Sequence, residues 1–213
     1  PPVVRAENDL QESLFERLNE EYPEASTLLE SQYRMAQHIQ SFPSREFYRG
    51  RLRPATDGVA ARSVDDLPGV SPAALPAHLR DRVTFLDPDG HADGNTNPGE
   101  ADAVADVVDE YLDAGVSPGD VGVIAPYRAQ VATIRTRVPD SVTVDTVDRF
   151  QGSSKEVVVM SFVATGSLDG PIFEDYRRVN VALTRAKRAL VLVGNREALA
   201  SDDTYARMVE WAE

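Results

Sequence analysis

A chain of 213 residues, 42% of them hydrophobic, is long enough for one α/β domain with a substantial core. A net charge of −13 excludes a free-standing protein that holds nucleic acid by bulk positive charge. The absence of cysteine excludes a disulfide framework, thiolate catalysis and a cysteine-based zinc site. Lys155 and Lys187 are the only lysines, so arginine supplies the rest of the positive charge. Acid excess with lysine nearly absent is a halophilic pattern: a carboxylate surface stays hydrated while salt screens its self-repulsion. Attraction to phosphates must then come from local arginine clusters. No signal peptide and no apolar run of membrane-spanning length is present, so a soluble, cytoplasmic protein is the expectation.

Pro1-Pro-Val-Val4 begins with neither a methionine nor a helix cap and reads as part of something longer. Asn8 or Asp9 can cap a helix with Leu10, Leu14, Phe15 and Leu18 on one face. A short strand is expected over 26–30, followed by Ser31-Gln-Tyr-Arg-Met35 and a short helix over 36–40. From 53 to 79 the composition shifts to Pro, Ala, Gly and Asp without periodicity, which predicts a loose, irregular surface insertion. Val83–Leu86 resumes the sheet. Asn97-Pro-Gly-Glu100 has the form of a capping box and starts a helix with Ala103, Val104, Val107, Val108, Tyr111 and Leu112 inward, ending at Gly115.

Val121–Ala125 is a buried strand, followed by Pro126-Tyr-Arg-Ala-Gln130 and a helix to about Arg137. Val142–Val144 leads into Thr146-Val-Asp-Arg-Phe-Gln-Gly152. The runs 156–163 and 189–193 are continuously apolar and β-branched, as strands covered on both faces are. An amphipathic helix over 202–211 closes the chain. The alternation predicts a single mostly parallel sheet with helices on both faces.

Four polar clusters follow strands in this reading: Gln32-Tyr33-Arg34, Pro126–Gln130, Thr146–Gly152 and Arg177–Arg185. Ligands of open parallel sheets bind at the carboxyl ends of the strands, so all four are expected along that one edge. Arginines, tyrosines and a glycine that permits close backbone approach suit a ligand with phosphates and a base.

Gln32-Tyr-Arg-Met35, Phe42-Pro-Ser-x-x-Phe-Tyr-x-Gly50, Pro126-Tyr-x-x-Gln130, Thr146-Val-Asp-x-Phe-Gln-Gly152 and Arg177-Arg-x-Asn-Val-Ala-Leu-Thr-Arg-Ala186 stand in a recognisable order. That order and spacing resembles the second, C-terminal RecA-like domain (domain 2A) of superfamily 1 helicases, in their Upf1/Dna2-like (SF1B) branch. The resemblance covers nearly all of 1–213 as a single domain, with 1–4 similar to the tail of motif III and 53–79 outside it. It implies a three-layer RecA-like, P-loop-NTPase-like fold.

It also implies roles. Arg34 and Arg185 would be arginine fingers reaching the γ-phosphate of ATP. Tyr33 would stack on the adenine, with Gln32, Gln151, Gly152 and Ser154 near the nucleotide. Tyr127, Arg128 and Thr146 would touch the backbone of single-stranded DNA or RNA. ATP and Mg2+ would be held mainly by the N-terminal RecA-like domain of the same polypeptide, and movement would run 5′ to 3′. The family usually has a glutamate for the ribose where this chain has Ser154, a shorter hydrogen-bonding side chain. A nucleotide-switched nucleic-acid-binding or translocase module without unwinding activity is the alternative.

The spacing G-x-x-x-x-G-K-[ST] of a phosphate loop is absent, so Gly152-Ser-Ser-Lys155 is no substitute and the chain alone is expected to be inactive as an ATPase. Asp109-Glu110 reads as a solvated helix face. Asp89, His91, Asp93 and Glu100 approximate a calcium loop, but no helix precedes them and Glu100 is better used as a cap. No metal site is expected.

Overall fold

The computed structural model describes residues 18, 21, 22, 27–150, 152–166, 168 and 170–213, apart from the side chains of Pro171 and Glu174. Residues 1–30 and 31–213 form separate compact units. Pro1–Val4 and the start of the first expected helix lie outside the described residues. Residues 27–30 are not a strand; pairing begins only at β1 (Ser31–Gln32), which lies parallel to β2 (Arg53–Pro54).

The main sheet has five parallel strands in the order β3-β7-β6-β4-β5. They are β3 (Val83–Leu86), β4 (Val121–Ala125), β5 (Thr143–Thr146), β6 (Lys155–Ser161) and β7 (Ala186–Val193). The three middle strands carry few polar residues because side chains alternate between two covered faces. Ile124, Val158, Met160, Leu190 and Leu192 enter one core. Val121, Val123, Val157, Val159, Val191 and Val193 enter the other. Two cores on one sheet make the three-layer α/β architecture.

The first core is covered by α1 (Gln37–Phe47), α7 (Tyr176–Leu183), α8 (Arg196–Leu199) and α9 (Asp203–Trp211). Helix α1 runs well past the expected 36–40, through Pro43, which lacks the N–H that would bond Ile39. The second core is covered by α3 (Pro98–Asp113) and α4 (Arg128–Arg135). Short helices α2 (Asp57–Ala60), α5 (Val147–Phe150) and α6 (Pro171–Glu174) complete the set. Between β4 and β6, Gly122 leaves room for the Phe150 ring, which would lie 2.5 Å from a Cβ placed there. The β3 edge is tied down where Phe85 N–H donates to the Ala212 carbonyl at 3.0 Å.

The segment 53–79 is irregular, as composition predicts, but it is not loose. Val59, Val64, Leu75 and Leu79 are buried, and 3-10 turns join them. Its apolar residues are too widely spaced to show a period, so composition alone hid its packing.

Candidate functional site

The polar clusters do not share one edge of the sheet, which corrects the expectation from sequence. Pro126–Gln130 follows β4 and Thr146 ends β5, so these lie at the carboxyl edge. Gly152–Ser154 directly precedes β6, and Thr184-Arg185 directly precedes β7, so these lie at the amino edge. The Gln32–Arg34 turn joins them there, since the Ala36 N–H donates to Lys187 O on β7 at 2.9 Å. At about 3.3 Å of rise per residue, the two edges lie roughly 20 Å apart along β6 and β7. The cluster Arg177–Arg185 lies on α7, about 12 Å long at 1.5 Å per residue, which leads from Arg178 beside Asp148 toward the amino edge.

At the amino edge, the last turn of α7 exposes carbonyls that have no donor within the helix, and it carries the negative end of the helix dipole. Two guanidinium groups use it. Arg34 Nη1 donates to Thr184 O at 3.1 Å, and Arg185 Nε donates to Val181 O at 2.9 Å. Arg185 also donates to Ser153 O at 3.4 Å and to Thr184 Oγ1 at 3.3 Å, so the Gly152–Ser154 loop closes over it. Burial first, and the Arg34 charge second, lower the pKa of the Arg185 guanidinium. It stays protonated, but its charge is incompletely solvated.

Neither guanidinium has a carboxylate partner among the described residues. Elsewhere arginines are commonly paired, as Arg137 is with Asp102 at 2.6 Å, Arg188 with Glu156 at 2.8 Å and Arg207 with Glu46 at 2.8 Å. Neutral carbonyls fix the position of Arg34 and Arg185 without cancelling their charge. An anion is what this arrangement can accept.

The remaining residues assigned to the nucleotide occupy distinct places. Tyr33 is 70% exposed beside Arg34. Gly152 has φ of +89°, and open space surrounds the place a Cβ would take. Ser154 is half-buried at the start of β6; Glu156 cannot stand in for it, because Lys187 and Arg188 occupy its carboxylate at 2.6 and 2.8 Å. Gln151 lies outside the described residues.

Gln32 is fully engaged within its own turn. Its Oε1 accepts from the N–H groups of Arg34 and Met35, both at 2.7 Å, and its Nε2 donates to Met35 O and Gln40 Oε1. These bonds shape the turn that carries Arg34.

At the carboxyl edge, Tyr127 and Thr146 line a cavity of about 100 Å³ with Pro126, Asp148, Ile172 and Arg178. Arg128 is exposed at the first position of α4. Behind them lies a network that sequence reading treated only as a cap. Asn97 does cap α3, accepting from Glu100 N–H at 3.1 Å, but the Glu100 carboxylate does not return to Asn97 N–H. Gln130 Oε1 accepts that N–H at 2.9 Å.

Glu100 instead crosses to the end of β6, accepting from Ser161 Oγ at 2.6 Å, Phe162 N at 2.9 Å and Val163 N at 2.8 Å. Burial outweighs these hydrogen bonds and pushes its pKa up to about 7. The network holds Val163, a β-branched residue, at φ of +62°. One sequence signal was present: Glu100 shares the inward face of α3 with Ala101 and Val104.

Comparison with known proteins follows this geometry. A family model described as an AAA domain matches residues 10–197. An uncharacterised ATP-dependent helicase of Methanocaldococcus jannaschii is 35% identical over 225 residues, covering 100% of this chain and 33% of the relative. A DNA replication ATP-dependent helicase/nuclease of Xenopus laevis is 36% identical, covering 91% of this chain and 21% of the relative. The DNA polymerase alpha-associated DNA helicase A of Saccharomyces cerevisiae is 33% identical, covering 100% and 35%. The chain therefore spans about a third or less of these curated relatives. No helix among the described residues is long and apolar enough to cross a membrane.

Proposed function

Because the chain belongs to the AAA domain family and is a helicase domain of superfamily 1, we propose that it works as the C-terminal RecA-like motor domain of an ATP-dependent DNA or RNA helicase. The observation that carries this reading is the convergence of Arg34 and Arg185, with no carboxylate partner among the described residues, beside the Gly152–Ser154 loop. ATP is held mainly by the N-terminal RecA-like domain of the same polypeptide. The two guanidinium groups meet its γ-phosphate across the interface and stabilise the charge that spreads over the transferring phosphoryl group. Because their carbonyl partners hold them before the substrate arrives, little reorganisation accompanies the reaction.

Tyr33 stacks on the adenine, Gly152 lets the backbone approach the phosphates, and Ser154 reaches toward the ribose. Mg2+ is held together with the ATP by the partner domain. The isolated chain does not hydrolyse ATP in this reading. Tyr127, Arg128 and Thr146 form part of the track for a single strand, contacting its backbone without reading its sequence. Closure and opening of the domain pair then advance the strand 5′ to 3′, in a cytoplasmic protein working at high salt. Ser154 in place of the usual glutamate motivates a second reading, in which nucleotide only switches strand affinity.

The experiment is strand-stimulated ATPase and unwinding by the full-length protein at high salt, with DNA and RNA compared. Turnover and unwinding that collapse in Arg34→Ala support the motor. Strand affinity that changes with nucleotide while no turnover occurs supports the switch.

A further inference from the structure

We propose that Arg62, in the segment 53–79, is a positioning residue that locks the backbone carrying Arg34. This rests on the motor reading above and extends it to a residue outside every motif.

The turn 33–35 lies between β1 and α1 and has no helix or strand bonds of its own to fix it. Two side chains grip it from opposite sides. Gln32 Oε1 accepts from the N–H groups of Arg34 and Met35. Arg62 Nη1 donates to the carbonyls of Tyr33 at 2.8 Å and Arg34 at 3.0 Å. The peptide units on either side of the Arg34 Cα are therefore each held at both their N–H and their C=O. With both peptide planes fixed, the direction in which the Arg34 side chain leaves the backbone is fixed too. A guanidinium at the end of a long side chain gains much from this, since a small rotation at Cα moves its tip by ångströms.

Arg62 is itself braced. Arg82 donates to the carbonyls of Arg62 at 2.9 Å and Ala61 at 2.7 Å, and Arg188 on β7 donates to Ser63 O at 2.9 Å. Arg188 stands three residues beyond Arg185 on the same stretch of chain, so one scaffold registers both phosphate-facing groups. The packed core of Val59, Val64, Leu75 and Leu79 gives the brace its rigidity. A segment with no motif of its own thus acquires a use.

The test compares variants of the full-length protein by strand-stimulated ATPase. Arg62→Ala should lower kcat at least about tenfold with KM for ATP changed less than about threefold, and Arg62→Lys, which can still donate to both carbonyls, should recover most of the loss. In the Arg34→Ala background, Arg62→Ala should cost nothing further, because the group it positions is gone. Amide exchange at Arg34 and Met35 should speed up. Arg80→Ala is the control, since Arg80, directly after the segment, donates to Leu75 O and to no other acceptor among the described residues. If Arg62→Ala melts the protein, Arg62→Gln replaces it, with one amide for two carbonyls and a smaller fall in kcat.

An unchanged kcat, an equal fall in Arg80→Ala, or a further loss in the double variant overturns the proposal. The motor reading fails separately, and takes this inference with it, if Arg34→Ala itself leaves turnover intact.

Discussion

The two edges of the sheet handle charge in opposite ways. At the amino edge, Arg34 and Arg185 are positioned by neutral carbonyls and have no carboxylate partner among the described residues. At the carboxyl edge, the Glu100 carboxylate is buried and surrounded by donors from Asn97, Ser161, Phe162 and Val163. The first is an open valence awaiting an anion. The second is a closed one, whose effect is to hold a strand end and the residues after it in a strained shape. Positive charge without a carboxylate partner marks a place for chemistry, whereas a buried carboxyl group whose oxygens all find donors marks a place for structure.

The largest test of that contrast is removal of the open charges. Arg34→Ala or Arg185→Ala in the full-length protein should lower strand-stimulated kcat about 1,000-fold or more, equivalent to about 4 kcal/mol in the barrier. Steady-state kinetics would show the fall in kcat with KM for ATP little altered. An equal fall in Arg128→Ala would break the comparison, because it would put the chemistry at the carboxyl edge.

Next comes the closed charge. The folded state lifts Glu100 from its ordinary 4.5 to about 7. Between those values it retains a proton that the unfolded chain has already released. The stability Glu100 contributes is therefore full below about pH 4.5 and is lost as pH rises through about 7, by about 3 kcal/mol in all. Denaturant titration across this range should show the slope in wild type and a flatter profile in Glu100→Gln, which cannot titrate. Catalytic variants at the amino edge should leave the slope unchanged.

Smaller effects sharpen the picture. Arg128→Ala should weaken single-strand binding roughly fivefold, reducing the slope of log affinity against log salt by about 1. Fluorescence anisotropy across a salt series measures both. Ser154→Glu should lower KM for ATP about threefold, if a longer acceptor beside Gly152 reaches the ribose; competition between ATP and its 2′-deoxy analogue reads that contact directly.

Much of the fold was legible because the relevant physics is local. β6 and β7 announce themselves by unbroken runs such as Val157–Met160 and Ala189–Val193, which only a doubly covered sheet can bury. Asn97 and Gly115 mark both ends of α3 because capping and positive φ demand particular residues. The edge on which each motif sits was not legible. Sequence order groups Gly152 and Arg185 with the strands before them, yet they stand just ahead of β6 and β7. Sequence order does not say how far an intervening segment travels. The roles of Glu100 and Arg62 were hidden for another reason: each depends on partners more than 20 residues away, Val163 for the one and Arg34 for the other.

The most direct measurement is a structure of the full-length protein with ADP, a metal-fluoride mimic of the transferring phosphoryl group and a single strand. The account predicts both the Arg34 and Arg185 guanidinium groups within hydrogen-bonding distance of the mimic, with the strand at the Tyr127–Thr146 edge. A mimic contacted by neither arginine, or bound at the carboxyl edge, would contradict it.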